Sequence, residues 1–247
     1  MPHGRPNVVV MIEIQGLTRR FGDLTAVDDV SFAVHDGHMT GFVGGNGAGK
    51  TTTMRMTMGL LGIDAGRVLW NGAPITAANR QRTGYMPEER GLYPKQKIVD
   101  QLVYLGELSG MSASDAKAAI MDHLERFGLA DRANDRVEKL SLGNQQRVQI
   151  IAALMTRPEA LILDEPFSGL DPTAVDSMAD LLREHTSRGI PVLFSSHQLD
   201  LVERALTGGA PDLETAMRKS LAKVRGSFAF VVMSDKEPGT LVAAKNS

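Results

Sequence analysis

Residues 44–51 read Gly-Gly-Asn-Gly-Ala-Gly-Lys-Thr, and no other stretch limits the fold of this chain so tightly. Glycine admits backbone conformations closed to other residues, so successive N–H groups can turn inward around an anion. The Lys50 that follows supplies a cation for the β- and γ-phosphates of a nucleotide, and Thr51 a hydroxyl for Mg²⁺. Such a loop works where a strand ends and a helix begins, because the helix N-terminus points its positive end at the same anion. Both neighbours are predicted. Thr40–Val43 is a short strand, and Lys50–Leu60 holds good or fair helix formers until Gly59 stops it. The loop therefore predicts nucleotide binding.

The rest of the chain supplies a setting for that loop. Ile12–Leu17 and Val30–Val34 read as strands separated by a turn at Gly22-Asp23, and Val68–Trp70 as a strand ended by Asn71-Gly72. Ala160–Leu163 and Val192–Ser195 are apolar without alternation, which suits a parallel sheet covered on both faces. Between about Asp100 and Val148 the pattern turns helical. Leu102, Leu105 and Leu108 are predicted to share one face, as are Ala116, Ile120, Leu124 and Phe127.

The apolar strand at 160–163 ends in Asp164 and Glu165, which places two carboxylates at the strand edge where ligands sit in open α/β sheets. Asp164 is a candidate to hold Mg²⁺ through water, and Glu165 to accept a proton from an attacking water. His197, just past the second apolar strand, is a candidate contact for the terminal phosphate.

Composition narrows the partners. The formal net charge is −2 with no local Lys/Arg run, so no nucleic acid partner is expected. There is no cysteine, which excludes disulfides, thiolate metal sites and a cysteine nucleophile. No apolar run approaches the length of a membrane span, so direct membrane insertion is not expected and any membrane contact is expected to go through a partner. Residues 1–11 read as an N-terminal extension without the pattern of a secretory signal.

Taken together, GGNGAGKT (44–51), LSLGNQQR (140–147), LILDEP (161–166), SGLD (168–171) and SSH (195–197) resemble the nucleotide-binding domain of ATP-binding-cassette (ABC) transporters over about residues 12–204. GYMPEERGLYP (84–94) is similar to a subgroup of exporter ATPases. The resemblance implies an α/β P-loop NTPase of ABC type. Its mostly parallel core sheet would carry an antiparallel β subdomain and an α-helical subdomain inserted at about 88–148.

It also implies site residues. Phe21 would stack on adenine, and Gly44, Asn46, Gly47, Ala48, Gly49, Lys50, Thr51 and Thr52 would cradle the phosphates. Thr51, Asp164 and Glu88 would hold Mg²⁺, although Glu89 is an alternative one position on. Glu165, His197 and Lys50 would be catalytic. Ser141, Gly143 and Asn144 would form the signature that reaches the nucleotide of an opposite subunit, and Asp171 would belong to the loop crossing that interface. The implied cofactors are ATP and Mg²⁺. The implied partners are a second ABC domain, in a homodimer or heterodimer, and a transmembrane permease subunit. The implied location is cytoplasmic, on the inner face of the cell membrane. A non-transport ABC ATPase acting on ribosomes or DNA, and a nucleotide-binding module without turnover, are the alternative functions.

Several positions depart from the family. Gly45 stands for the usual Pro, Leu142 for Gly, Asn144 for Gln, and Glu88 for the Gln that senses Mg²⁺. Residues 205–247 form an atypical tail. From about Asp212 it resembles an internal piece of the glutaminase domain of glucosamine–fructose-6-phosphate aminotransferase. That domain depends on a cysteine nucleophile, so no glutaminase activity is expected. Leu213, Met217, Leu221 and Val224 predict a helix, and Phe228–Met233 with Thr240–Ala244 a hairpin that docks as a substitute sheet edge.

Overall fold

The computed structural model describes residues 10–89 and 91–197, and the backbone of 227–233 and 241–246. The predicted helix at 213–224 lies outside these residues, as does most of the predicted N-terminal extension. The first strand already begins at Val10, two residues inside that extension.

Two sheets make the frame. The first is antiparallel, with order β2-β1-β4-β5, from β1 (Val10–Phe21), β2 (Leu24–His35), β4 (Ala65–Trp70) and β5 (Ala73–Pro74). The Gly22-Asp23 and Asn71-Gly72 turns sit where the sequence predicts them, but β1 and β2 run well past the predicted apolar cores. Ladder pairing carries them on through polar residues, from Leu17↔Val30 out to Phe21↔Leu24.

The second sheet has order β10-β9-β3-β8-β7-β6, with β3 (Met39–Gly44), β6 (Thr83–Met86), β7 (Ala160–Leu163), β8 (Val192–Ser196), β9 (Ser227–Met233) and β10 (Leu241–Asn246). Strands β3, β8, β7 and β6 are parallel. Their side chains alternate between two covered faces. Phe42, Ile162 and Leu193 pack toward the antiparallel sheet with Met54 and Met56, while Val43, Leu161, Leu163 and Phe194 pack toward the helices. An apolar residue at every position is what a doubly covered strand requires.

The helices are α1 (Lys50–Thr57), α2 (Ala77–Gln81), α3 (Ile98–Leu108), α4 (Ala113–Arg126), α5 (Leu142–Leu154) and α6 (Pro172–Ser187). Helix α1 stops at Thr57, short of the predicted Leu60. Helices α3 and α4 pack on α5 and form the helical subdomain, with Ala116, Ile120 and Leu124 fully buried. One expectation fails here. Leu108 is 66% exposed while Leu102 is buried. Six residues place Leu108 about 120° around the helix from Leu102, so the spacing does not share a face.

The tail hairpin extends the sheet on the free side of β3. Strand β9 pairs antiparallel with β3, from Thr40↔Met233 to Gly44↔Ala229, and β10 pairs antiparallel with β9.

Candidate functional site

The loop at 44–50 is held by close backbone approaches. Gly47 and Gly49 have φ of 80° and 81°, the left-handed region that favours glycine. At Gly49 a Cβ would also lie 2.5 Å from the Ala26 carbonyl oxygen and 2.9 Å from Val27 Cγ2. The loop thus presses against β2, which a side chain would forbid. At Gly45, by contrast, a Cβ meets open space.

A cavity of about 400 Å³ opens over the loop. Phe21, Leu24 and Ala26 line its apolar side, residues 46–52 its floor, and Glu88 and Glu165 its acidic side. Phe21 is partly exposed, with the Arg19 guanidinium 4.9 Å from its ring centroid. The N-terminus of α1 points into the cavity and has no acidic residue in its first turn, the arrangement that attracts phosphate. Lys50 is buried and donates to the carbonyls of Gly44 and Gly45 at 2.7 and 3.1 Å.

The two acids at the end of β7 differ. Asp164 is completely buried; its Oδ1 accepts from Ser195 Oγ, and its Oδ2 has no hydrogen-bond partner. Burial pushes its pKa up, offset in part by the Ser195 bond. Glu165 has φ of 52°, a left-handed conformation that strains a side chain of this size. Three bonds fix it there: its N–H donates to Ser195 Oγ at 2.8 Å, and its carbonyl accepts from Gln146 Nε2 at 2.9 Å and from the Ser168 N–H at 3.1 Å. The turn carries its carboxylate to Lys50 Nζ at 3.6 Å and to His197 Nδ1 at 2.9 Å. Burial raises the Glu165 pKa, while His197 and Lys50 work against the rise.

Thr51 Oγ1 donates to Glu88 Oε2 at 3.0 Å. Glu89 turns away and pairs with Arg55 at 3.2 Å, almost fully exposed. Of the two acids, Glu88 is the one that lines the cavity. An orphaned, wholly buried Asp164 oxygen beside a threonine hydroxyl and a second carboxylate is a donor set suited to a hard divalent cation.

Among the sequence candidates, Phe21, Asn46–Thr52, Glu88 and Glu165 line one cavity, and Gly44, Asp164 and His197 adjoin it through the bonds above. Ser141, Gly143, Asn144 and Asp171 are not part of its lining. Ser141 caps α5 by accepting from the Asn144 N–H, and Gly143 lies where a Cβ would come 3.3 Å from Leu170. Asp171 caps α6 through the Ala174 N–H at 2.9 Å. Ser195 and Gln146, to which the sequence alone assigns no role, hold the acids in place. The signal for Ser195 was a hydroxyl inside a strand with no exposed face.

A family model described as "ABC transporter" matches residues 27–168. The uncharacterized ABC transporter ATP-binding protein YhaQ of Bacillus subtilis (strain 168) is 48% identical over 193 residues, covering 78% of this chain and 65% of the relative. Nod factor export ATP-binding protein I of Burkholderia lata is 38% identical over 199 residues, covering 79% and 66%. The chain thus spans just under two thirds of the length of these curated relatives. A solved structure of an ATP-binding subunit of an ABC transporter superposes with a TM-score of 0.69 at 30% identity, covering 79% of this chain and 82% of that one.

Proposed function

Because this chain belongs to the ABC transporter family, we propose that it binds ATP in the cavity above residues 44–52, hydrolyses it to ADP and phosphate, and powers a membrane transporter. The observation that carries the reading is the chain Lys50–Glu165–His197 at the mouth of the glycine loop, backed by the unpartnered Asp164 oxygen.

In this reading the loop amides and Lys50 hold the β- and γ-phosphates, and Phe21 offers a face to the adenine. Glu165 takes a proton from a water that attacks the γ-phosphorus as the bond to ADP breaks. Its raised pKa makes it a better base than an exposed glutamate. His197 holds the Glu165 carboxylate in position and faces the terminal phosphate. Thr51, Asp164 and Glu88 would hold Mg²⁺, which when bound neutralises charge on the phosphates.

The signature residues Ser141, Gly143 and Asn144 cap or open the N-terminus of α5 outside the cavity. That supports their use on the nucleotide of a second ABC domain, in a homodimer or heterodimer, with Asp171 near the seam. Closing such a pair around ATP and reopening it after hydrolysis is the working stroke. No described helix is long and apolar enough to cross a membrane, so the stroke would pass to a transmembrane permease subunit, with the ATPase on the inner face of the cell membrane. The likeness to an export protein and the 84–94 stretch support export as the direction. The tail at 212–247 receives no glutaminase role, since the chain has no cysteine.

The test is the Glu165→Gln variant in a magnesium-dependent ATPase assay with size-exclusion chromatography. Hydrolysis should fall by about 10²–10⁴-fold, and a dimer should accumulate in ATP. A variant turning over at the parent rate would remove Glu165 from the role of base.

A further inference from the structure

We infer that Glu88 acts as a charge gate, making the site admit nucleotide with its cation and reject nucleotide without one. The inference rests on the nucleotide-site reading above and concerns the regulation of that same site.

The argument is a charge balance. Among the described residues that line the cavity, Lys50 is the one cationic side chain, against the carboxylates of Glu88 and Glu165. Asp164 adds a third carboxylate behind them, with one oxygen unpartnered. Lys50 is itself engaged, by Glu165 at 3.6 Å and by two loop carbonyls. The described side chains around the phosphate floor therefore carry an excess of negative charge before a polyanion enters. The loop amides and the α1 dipole attract phosphate, but Glu88 opposes them from the acidic side of the same cavity, bonded to the Thr51 hydroxyl at 3.0 Å.

A divalent cation reverses the sign of this contribution. With the cation present, Glu88 is a ligand or a close counter-charge; without it, Glu88 repels the phosphates directly. A glutamine there would keep a carbonyl oxygen for the cation but bring no charge to repel metal-free phosphates. Glu89 provides an internal control. It carries the same charge one residue on but faces Arg55 rather than the cavity.

The experiment measures affinity and not turnover. The non-hydrolysable analogue AMP-PNP is titrated calorimetrically into the parent, Glu88→Gln, Glu88→Asp and Glu89→Gln proteins, in excess MgCl₂ and in excess EDTA. The readout is the ratio of the metal-free to the metal-loaded dissociation constant. Glu88→Gln should shrink that ratio by about tenfold, mainly by tightening metal-free binding, a figure already discounted for the exposure of the Glu88 side chain. Glu88→Asp and Glu89→Gln should keep the parent ratio. An unchanged ratio in Glu88→Gln overturns the gate. So does an equal drop in Glu89→Gln, which would mean bulk charge, or in Glu88→Asp, which would mean shape. A parent protein that binds no AMP-PNP even with Mg²⁺ would instead bring down the nucleotide-site reading itself.

Discussion

Replacing Ser195 with alanine removes one hydroxyl and two buried contacts. Ser195 Oγ donates to Asp164 Oδ1 and accepts from the Glu165 N–H at 2.8 Å. Asp164 and Ser195 are 0% exposed and Glu165 only 6%, so water is poorly placed to substitute. An orphaned buried N–H costs ~1–3 kcal/mol, and a lost hydrogen bond to a charged group ~1.5–3 kcal/mol. The sum, ~3–5 kcal/mol at neutral pH, is a large share of the ~5–15 kcal/mol typical of a folded domain.

The loss should depend on pH with a definite sign. Burial raises the Asp164 pKa and the Ser195 bond holds it down, so the variant's folded pKa lies higher still. An acid whose folded pKa exceeds its unfolded value destabilises the fold while ionised, and the penalty fades as pH falls through the folded pKa. The deficit should therefore be larger at neutral pH than at an acid pH below the variant's folded pKa. Urea unfolding at both pH values, followed by fluorescence of the single, buried Trp70, measures it. A deficit below ~1 kcal/mol, the worth of an ordinary neutral hydrogen bond, or one equal at both pH values, would refute the reasoning.

Gly49→Ala should destabilise by ~3 kcal/mol or more and abolish nucleotide binding, because it combines a left-handed φ with a backbone clash. Gly45→Ala, facing open space, should melt close to the parent; equal melting temperatures for the two variants would contradict the packed-loop account. For ATP hydrolysis, the acid limb of kcat/KM should have its midpoint above the ordinary glutamate value of 4.5, since burial raises the pKa of the group that must be ionised to act as base. A limb at or below 4.5 would show that the Lys50 and His197 contacts outweigh burial.

The sequence was most legible where the backbone allows few choices. Residues 44–51 could be placed because glycine spacing, strand and helix all point to one loop, and Ala160–Leu163 because a short run, apolar at every position and ended by two acids, suits a doubly covered strand. The contacts that pin the acids were hidden, since they join residues far apart in the chain: Ser195 reaches Asp164, and Gln146 reaches the Glu165 carbonyl. The left-handed φ of Glu165 had no signal in residue type, because it is imposed by those contacts. Leu108 falls off the face of Leu102 because steps of three drift around a helix that repeats every 3.6 residues. Glu88 and Glu89 are indistinguishable in one dimension and take different partners in three, Thr51 and Arg55.

The antiparallel seam between β3 and β9 ties the phosphate loop's own strand to residues 227–233. During translation β3 emerges long before its partner. Until that late segment arrives, a row of main-chain groups beside the glycine loop stays open on one side, the situation in which strands of separate molecules zip together. Pairing across so much chain is also slow. Until residues 227–233 are delivered, the growing polypeptide therefore carries an unpaired edge of the kind that favours self-association.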